Sequence, residues 1–281
     1  MLESLEFYAY QILTGCVLGS ICAVIGVVVV LQRKTVFTLT LSQATTLSIA
    51  LFLTMFTSET GTLYRSGNLA IIGPALVLML PFLTSSGVRF SETLLVGGML
   101  AYAALAQIVI AVASGPQSHL LQAYFGDILF LNPEDFYFIF VPIAIAFGLF
   151  IIFFRRFITL TFDSDHARLM GFNTGLTRII FHLILITVAS ISINAMGSFL
   201  TIACLSIPAF VALSVSTSLR QTILISIMLT LFITLVGFMI SLIPIAWEQE
   251  SVHLPTGAVI LVLAGLTLMV PAFFARRRLS A

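Results

Sequence analysis

The chain has 281 residues, 60% of them apolar and only 8% charged, with a mean hydropathy of +1.17. Soluble domains carry about 25% charged residues, so this composition excludes a water-solvated globule. The net charge of +1, without a basic stripe, excludes nucleic acid as a partner.

Nine apolar segments follow one another, at 8–31, 36–56, 69–86, 93–114, 136–154, 177–195, 198–217, 221–245 and 256–275. Most match the roughly 20 residues a helix needs to cross the hydrocarbon core. They are too long for barrel strands, and in lipid each must satisfy its own backbone hydrogen bonds. The expected fold is therefore all-α: a polytopic transmembrane helical bundle of about eight to nine spans, forming one domain over 1–281.

The N-terminus carries Glu3 and Glu6 and lacks a basic n-region, so the first segment reads as a retained span rather than a signal peptide. Within that segment Gly15, Gly19, Cys22 and Gly26 form a stripe of small residues, the pattern of a close helix-packing face. Cys16, Cys22 and Cys204 all lie in apolar segments. Their odd number and depth argue for buried thiols rather than a disulfide framework.

The second segment is unusually polar. Thr35, Thr38, Ser42 and Thr45 recur every three or four residues, with Gln43 and Thr46 beside them. Hydroxyls can bond back to the preceding helical turn, so Ser and Thr alone require no function. Gln43 carries an amide that needs partners inside the bilayer, and it either lines a pathway or binds a neighbouring helix. Pro74, Pro142, Pro208 and Pro244 lie inside or near the ends of apolar runs and invite kinks.

Three connections exceed a minimal turn or stand out in composition. Segment 115–135 contains the semi-apolar stretch Leu120 to Leu131, read as a short interfacial or re-entrant helix. In segment 155–178, Asp163 or Ser164 is placed to cap a short helix running through Leu169, with Gly171 as its stop. The turn Ser216 to Gln221 is short and polar. A further polar patch, Ser190, Ser192, Asn194 and Ser198 around Met196-Gly197, reads as a capped turn or as the outer mouth of a pathway, with Met196 a soft ligand.

Threading the segments alternately from an outside N-terminus puts eleven of the twelve basic residues on the inner side. Those are Arg33, Lys34, Arg89, Arg155, Arg156, Arg168, Arg178, Arg220, Arg276, Arg277 and Arg278; only Arg65 falls outside. Cytoplasmic loops are enriched in Lys and Arg, so the expected orientation has the C-terminus in the cytoplasm of a cell-membrane protein. Trp247 fits an anchor at the outer interface.

The chain lacks a Gly-rich loop ending in Gly-Lys-Ser/Thr, a His-Glu-x-x-His and a Cys-x-x-Cys. His119, His166, His182 and His253 are scattered without ligand spacing. None of the nine segments contains a carboxylate, whereas ion-coupled carriers place Asp or Glu mid-membrane. Energy is then expected from elsewhere, through a cytoplasmic ATPase subunit docked on the inner loops.

At this point the chain resembles the membrane permease subunits of zinc- and manganese-type ABC importers. The resemblance rests on pieces in the family's order: Gly26-Val-Val-Val-Val-Leu-Gln-Arg; the polar second segment with Ser42 and Ala44; Tyr124-Phe125-Gly126-Asp127; Thr161-Phe162-Asp163 through Gly171; Met196-Gly197-Ser198 running to Ile207-Pro208-Ala209 and Ser218-Leu219-Arg220; and Pro255-Thr256-Gly257. The resemblance implies a transport subunit that is not itself an enzyme. It implies ATP on a partner subunit and no cofactor in this chain. The implied partners are a cytoplasmic ATPase, a second permease, an extracytoplasmic solute-binding protein and membrane lipid. Ser214, Ser216, Thr217, Ser218, Leu219 and Arg220 correspond to the segment that couples to the ATPase. Ser42, Gln43, Thr46, Leu39, Asn194 and Met196 are the candidate translocation-pathway residues.

One departure stands out. The family's second span reads Gly-Asp-Ala-x-Ser-His-Ala, and this chain reads Thr38-Leu39-Thr40-Leu41-Ser42-Gln43-Ala44. Leu39 cannot ligate a cation, and the amide oxygen of Gln43 is a weak candidate for the metal. The chain either pairs with a permease that keeps the motif or carries a different cargo, such as a metal chelate. A stand-alone secondary carrier is the reading from another class. An intramembrane enzyme is disfavoured, because no catalytic constellation lies at membrane depth.

Overall fold

The structure is a computed structural model that describes residues 2–55, 63–84, 92–112, 136–242, 245–247, 250–252, 254–269 and 271. Helices appear for all nine apolar segments: α1 (Leu2–Leu31), α2 (Thr35–Met55), α3 (Leu63–Thr84), α4 (Glu92–Val112), α5 (Phe136–Phe162), α7 (Thr174–Met196), α8 (Ser198–Val215), α9 (Leu219–Ser241) and α10 (Thr256–Thr267). A short helix, α6 (Ser164–Leu169), lies between α5 and α7. Seven of the described helices (α1, α2, α4, α5, α7, α8 and α9) are long and apolar enough to cross a membrane, and shorter apolar stretches lie in α3 and α10.

The segments form helices for the reason their length suggests. Uninterrupted apolar runs without charge can bury themselves in lipid only with every backbone group paired along the chain axis. Pro74 and Pro81 sit inside α3, Pro142 inside α5 and Pro208 inside α8. Pro244, His119, His253 and the stretch 120–131 lie outside the described residues. One element was not anticipated from the pattern: β1 (Ile245–Trp247) pairs antiparallel with β2 (Glu250–Val252), Trp247 opposite Glu250. Runs of three residues are too short to leave a period-2 signature.

The chain forms two compact units. The first is formed by the described residues of 1–30 and 195–281. In it α9 packs against α8 and α10, and α8 against α10. The small-residue stripe on α1 lets backbones meet. A Cβ on Gly26 would lie 1.9 Å from the carbonyl oxygen of Leu205 on α8, and one on Gly19 would lie 3.0 Å from Cγ2 of Thr230 on α9. Ser226 Oγ donates to the Ala23 carbonyl at 3.4 Å. Ser241 Oγ bonds both the Leu254 carbonyl (2.8 Å) and Thr256 Oγ1 (2.9 Å), tying the end of α9 to the start of α10. Cys22 and Cys204 are buried and not in disulfides, as the sequence suggested.

The second unit holds residues 31–124 and 134–194. Here α2 packs against α3 and α4. The Tyr102 hydroxyl on α4 donates to the Leu78 carbonyl on α3 at 2.8 Å. Phenylalanines knit α5 to α7: Phe150 and Phe157 have ring centroids 5.7 Å apart, and Phe157 meets Phe181 edge-on at 5.2 Å. Aromatic pairs of this geometry add to the area they bury.

Candidate functional site

The polar face of α2 is buried almost throughout, with Thr38, Thr40, Ser42, Gln43, Thr45, Thr46 and Ser48 all at 6% exposure or less. Most of its hydroxyls are satisfied along their own helix. Ser42 Oγ donates to the Leu39 carbonyl (2.9 Å), Thr46 Oγ1 to that of Ser42 (3.0 Å) and Ser48 Oγ to that of Ala44 (2.8 Å). Two reach outward as well. Thr40 Oγ1 donates to the Leu95 carbonyl of α4 at 2.9 Å, and Thr45 Oγ1 lies 3.4 Å from Ser190 Oγ of α7. Thr40 and Thr45 therefore link α2 to α4 and α7, while the other hydroxyls serve their own helix.

Among the candidate pathway residues, Ser42, Gln43 and Thr46 are buried on α2 and Leu39 is half-buried. Asn194 is half-buried near the end of α7, and Met196 is buried at its last residue. Gly197 follows with φ 87° and ψ 160°, a conformation open essentially to glycine alone. In the first turn of α8, Thr201 Oγ1 donates back to the Gly197 carbonyl at 2.8 Å. The Met196-Gly197-Ser198 patch is thus a tight helix-to-helix junction. Among the described residues, no three His, Cys, Asp or Glu side chains are grouped to hold a metal ion.

The short polar connection between α8 and α9 is built of three residues. Ser216 caps the end of α8 through its N–H to the Ala212 carbonyl (2.9 Å), and Ser218 is the N-cap of α9. Gln221, at the end of the polar turn read from the sequence, and Thr222, beyond it, hold it. Gln221 Oε1 accepts from Thr217 Oγ1 (2.9 Å) and from the Thr217 N–H (3.3 Å). Thr222 Oγ1 lies 2.6 Å from Ser216 Oγ. The signal was present: Ser218-x-x-Gln221 is a capping-box pattern, but the glutamine reaches one residue past the cap. Ser214, Thr217, Ser218 and Arg220 are exposed, and Ser216 and Leu219 half-buried. The result is a pre-shaped polar knuckle open to a partner.

A second feature escaped the sequence. Lys34, in the turn between α1 and α2, brings Nζ to 3.1 Å from Nε2 of His182 on α7. The His182 Nδ1 lies 2.6 Å from the Arg178 carbonyl, which can only accept. Nδ1 therefore carries the proton, and Nε2 offers its lone pair to the lysine. Phe37 packs edge-on against the imidazole at 4.8 Å, and the Lys34 ammonium lies over the Phe181 ring at 5.5 Å. Burial, aided by the Arg178 charge, lowers the Lys34 pKa to about 8.

A profile described as the ABC 3 transport family matches residues 4–275. The chain belongs to this family. It is 28% identical to the high-affinity zinc uptake system membrane protein ZnuB of Haemophilus influenzae, over 72% of this chain and 75% of that protein. It is 23% identical to the manganese import system permease protein ScaB of Streptococcus gordonii, over 99% of this chain and 94% of the other. Among solved structures it resembles PsaBC from Streptococcus pneumoniae, determined in complex with Fab, with a TM-score of 0.76 at 20% identity, covering 96% of this chain and 93% of that one. A metal-chelate type ABC transporter in an inward-facing conformation matches with a TM-score of 0.67 at 17% identity, covering 94% and 84%. The family resemblance read from the sequence is therefore borne out, and the protein is a multi-pass membrane protein of the transport class.

Proposed function

We propose that the chain is the pore-forming permease subunit of an ATP-driven importer for a divalent transition metal of the zinc or manganese type. The family match over 4–275 carries the reading, and zinc and manganese permeases are among the relatives. ATP is bound and hydrolysed by a separate cytoplasmic subunit, a solute-binding protein delivers the cargo outside, and a second permease completes the pore. In this arrangement the N-terminus lies outside and the C-terminus inside. The knuckle Ser214 to Arg220 docks in the ATPase, its conformation set by Gln221 and Thr222 before the partner arrives. A pre-shaped contact loses less side-chain freedom on association.

A second cargo reading has its own observation. Leu39 and Gln43 occupy the positions where the family's motif has Asp and His, and no ligand cluster exists among the described residues. On that reading the same pore carries a metal chelate, or the metal ligands come from the second permease. The deciding experiment co-expresses the chain with its ATPase. Co-purification, together with ATPase turnover that changes on assembly, is the expected result. A chain that neither binds the ATPase nor alters its turnover would overturn the assignment.

A further inference from the structure

Lys34 is the single lysine of the chain; the other eleven of its twelve basic residues are arginines. The difference is chemical. A guanidinium stays charged, whereas a desolvated lysine can shed its proton and attack a carbonyl carbon. The turn that carries Lys34 is pinned in place. Arg33 reverses the chain at φ 55°, a left-handed conformation uncommon outside glycine. Gln32 Nε2 donates to Thr161 Oγ1 of α5 at 3.0 Å. Lys34 Nζ is thereby set 3.1 Å from Nε2 of His182. The Arg178 carbonyl holds the imidazole proton on Nδ1, so Nε2 keeps a lone pair facing the ammonium. A nucleophile, a base within hydrogen-bond reach and a third group that orients the base are the parts of an activated nucleophile.

The surroundings favour release of the proton. Lys34 is half-buried, and among the described residues no carboxylate pairs with it. It faces His182, the Phe181 ring and the Arg178 charge, all on α7. The ring favours the ammonium, but burial and the Arg178 charge outweigh it and bring the pKa to about 8. Arg33, next in the chain, and Arg178 are both exposed. Two arginines beside the amine suit a donor that carries a phosphate.

We propose that Lys34 is a site of covalent acylation by an acyl phosphate, with His182 as the base that frees its amine. This goes beyond the transport reading and does not depend on it. His182 Nε2 takes one proton from the ammonium. The Nζ lone pair then attacks the acyl carbon and forms an amide bond. The bond from that carbon to the phosphate oxygen breaks, and phosphate leaves with the electron pair and a second amine proton. His182 returns its proton to solvent. Nothing is oxidised or reduced. The product is neutral and no longer places a charge over Phe181.

The test treats the full chain in detergent with acetyl phosphate from about pH 6.5 to about pH 9.5. Mass spectrometry follows the Lys34 peptide separately from the peptide bearing the N-terminal amine. Nα-acetyl-lysine amide in the same mixture reports an ordinary side-chain amine. At about pH 7.5, an amine titrating near 8 holds on the order of a hundredfold more neutral form than one titrating near 10.4. Its weaker basicity offsets part of that gain, so Lys34 should be acetylated about tenfold faster than the amide. The rate should level off above about pH 8, where the amide is still accelerating. His182→Gln should slow Lys34 several-fold, and its melting temperature in the same detergent checks that it is folded. A wild-type Lys34 rate at or below that of the amide would sink the proposal, whatever the variant does. So would an unchanged rate and pH profile in folded His182→Gln, which would leave the histidine a packing partner only.

Discussion

Lys34 and His182 lie 148 positions apart in sequence, and their side-chain nitrogens meet at 3.1 Å. The imidazole tautomer is fixed by the Arg178 carbonyl, so His182 presents a lone pair and Lys34 a proton. The lysine is half-buried, over the Phe181 ring.

A pH dependence follows from this site. Burial, with the Arg178 charge, lowers the Lys34 pKa to about 8. An unfolded lysine titrates near 10.4. Between those values the unfolded chain binds more protons than the folded one, so stability rises with pH across the window from about 8 to about 10.4. Below pH 8 the full desolvation penalty is present. Melting temperatures of wild type and Lys34→Gln in the same detergent, from pH 7 to pH 10, test this. The wild type should gain stability through the window and the variant should gain less. Parallel curves would exclude the lysine as the source.

The close approach at Gly26 predicts a severe packing defect. A Cβ there would stand 1.9 Å from the Leu205 carbonyl oxygen, a backbone atom that cannot rotate aside. Gly26→Ala should therefore force α1 away from α8 and destabilise by about 1–3 kcal/mol or more. Gly148 and Gly265 lie in helices with no atom within 4 Å of the added Cβ, so alanine there should be tolerated. Expression and melting temperature of the three variants give the comparison.

The knuckle between α8 and α9 predicts a separation of folding from coupling. Gln221→Ala removes both bonds to Thr217 while leaving the Ser218 cap in place. Removing an exposed neutral hydrogen bond costs about 1 kcal/mol, so the helices should persist. ATPase stimulation and co-purification should fall several-fold at an almost unchanged melting temperature. Gln221→Glu, which keeps the acceptor oxygen, should retain more of both. If Gln221→Ala couples normally, pre-shaping of the turn is not needed.

The second helix predicts a change of cargo preference. Leu39→Asp with Gln43→His restores the residue types of the family's motif on α2. Metal uptake by the assembled transporter should shift in favour of zinc or manganese by about tenfold, the scale on which ligand surroundings alter affinity. Unaltered uptake and unaltered competition by chelates would show that α2 does not meet the cargo.

Much of the architecture could be read directly from local pattern. All nine apolar segments became helices, but several ends moved: α1 and α3 begin at Leu2 and Leu63, ahead of the expected 8 and 69, α5 runs on to Phe162 past the expected 154, and α9 and α10 stop at Ser241 and Thr267, short of 245 and 275. The Asp163 cap and the Gly171 stop appeared where the residue types placed them, because caps and reversals are local chemistry. The small stripe on α1 proved to be a packing face. What stayed hidden was contact at a distance. Nothing near Lys34 points to His182. Gln221 was read only as the end of the polar turn: its spacing from Ser218 matches a capping box, while its side chain serves Thr217.

The hydroxyls of α2 also bear on how the protein can move. Because Ser42, Thr46 and Ser48 bond within their own helix, those bonds travel with it. Among the described hydroxyls of α2, Thr40 bonds to Leu95 of α4 and Thr45 to Ser190 of α7. Interhelical bonds of this kind in membranes average about 0.6 kcal/mol each. A rotation or slide of α2 would therefore exchange these two weak hydroxyl tethers and leave the other hydroxyls' bonds intact, so the Ser and Thr residues of this face add little to the cost of moving the helix.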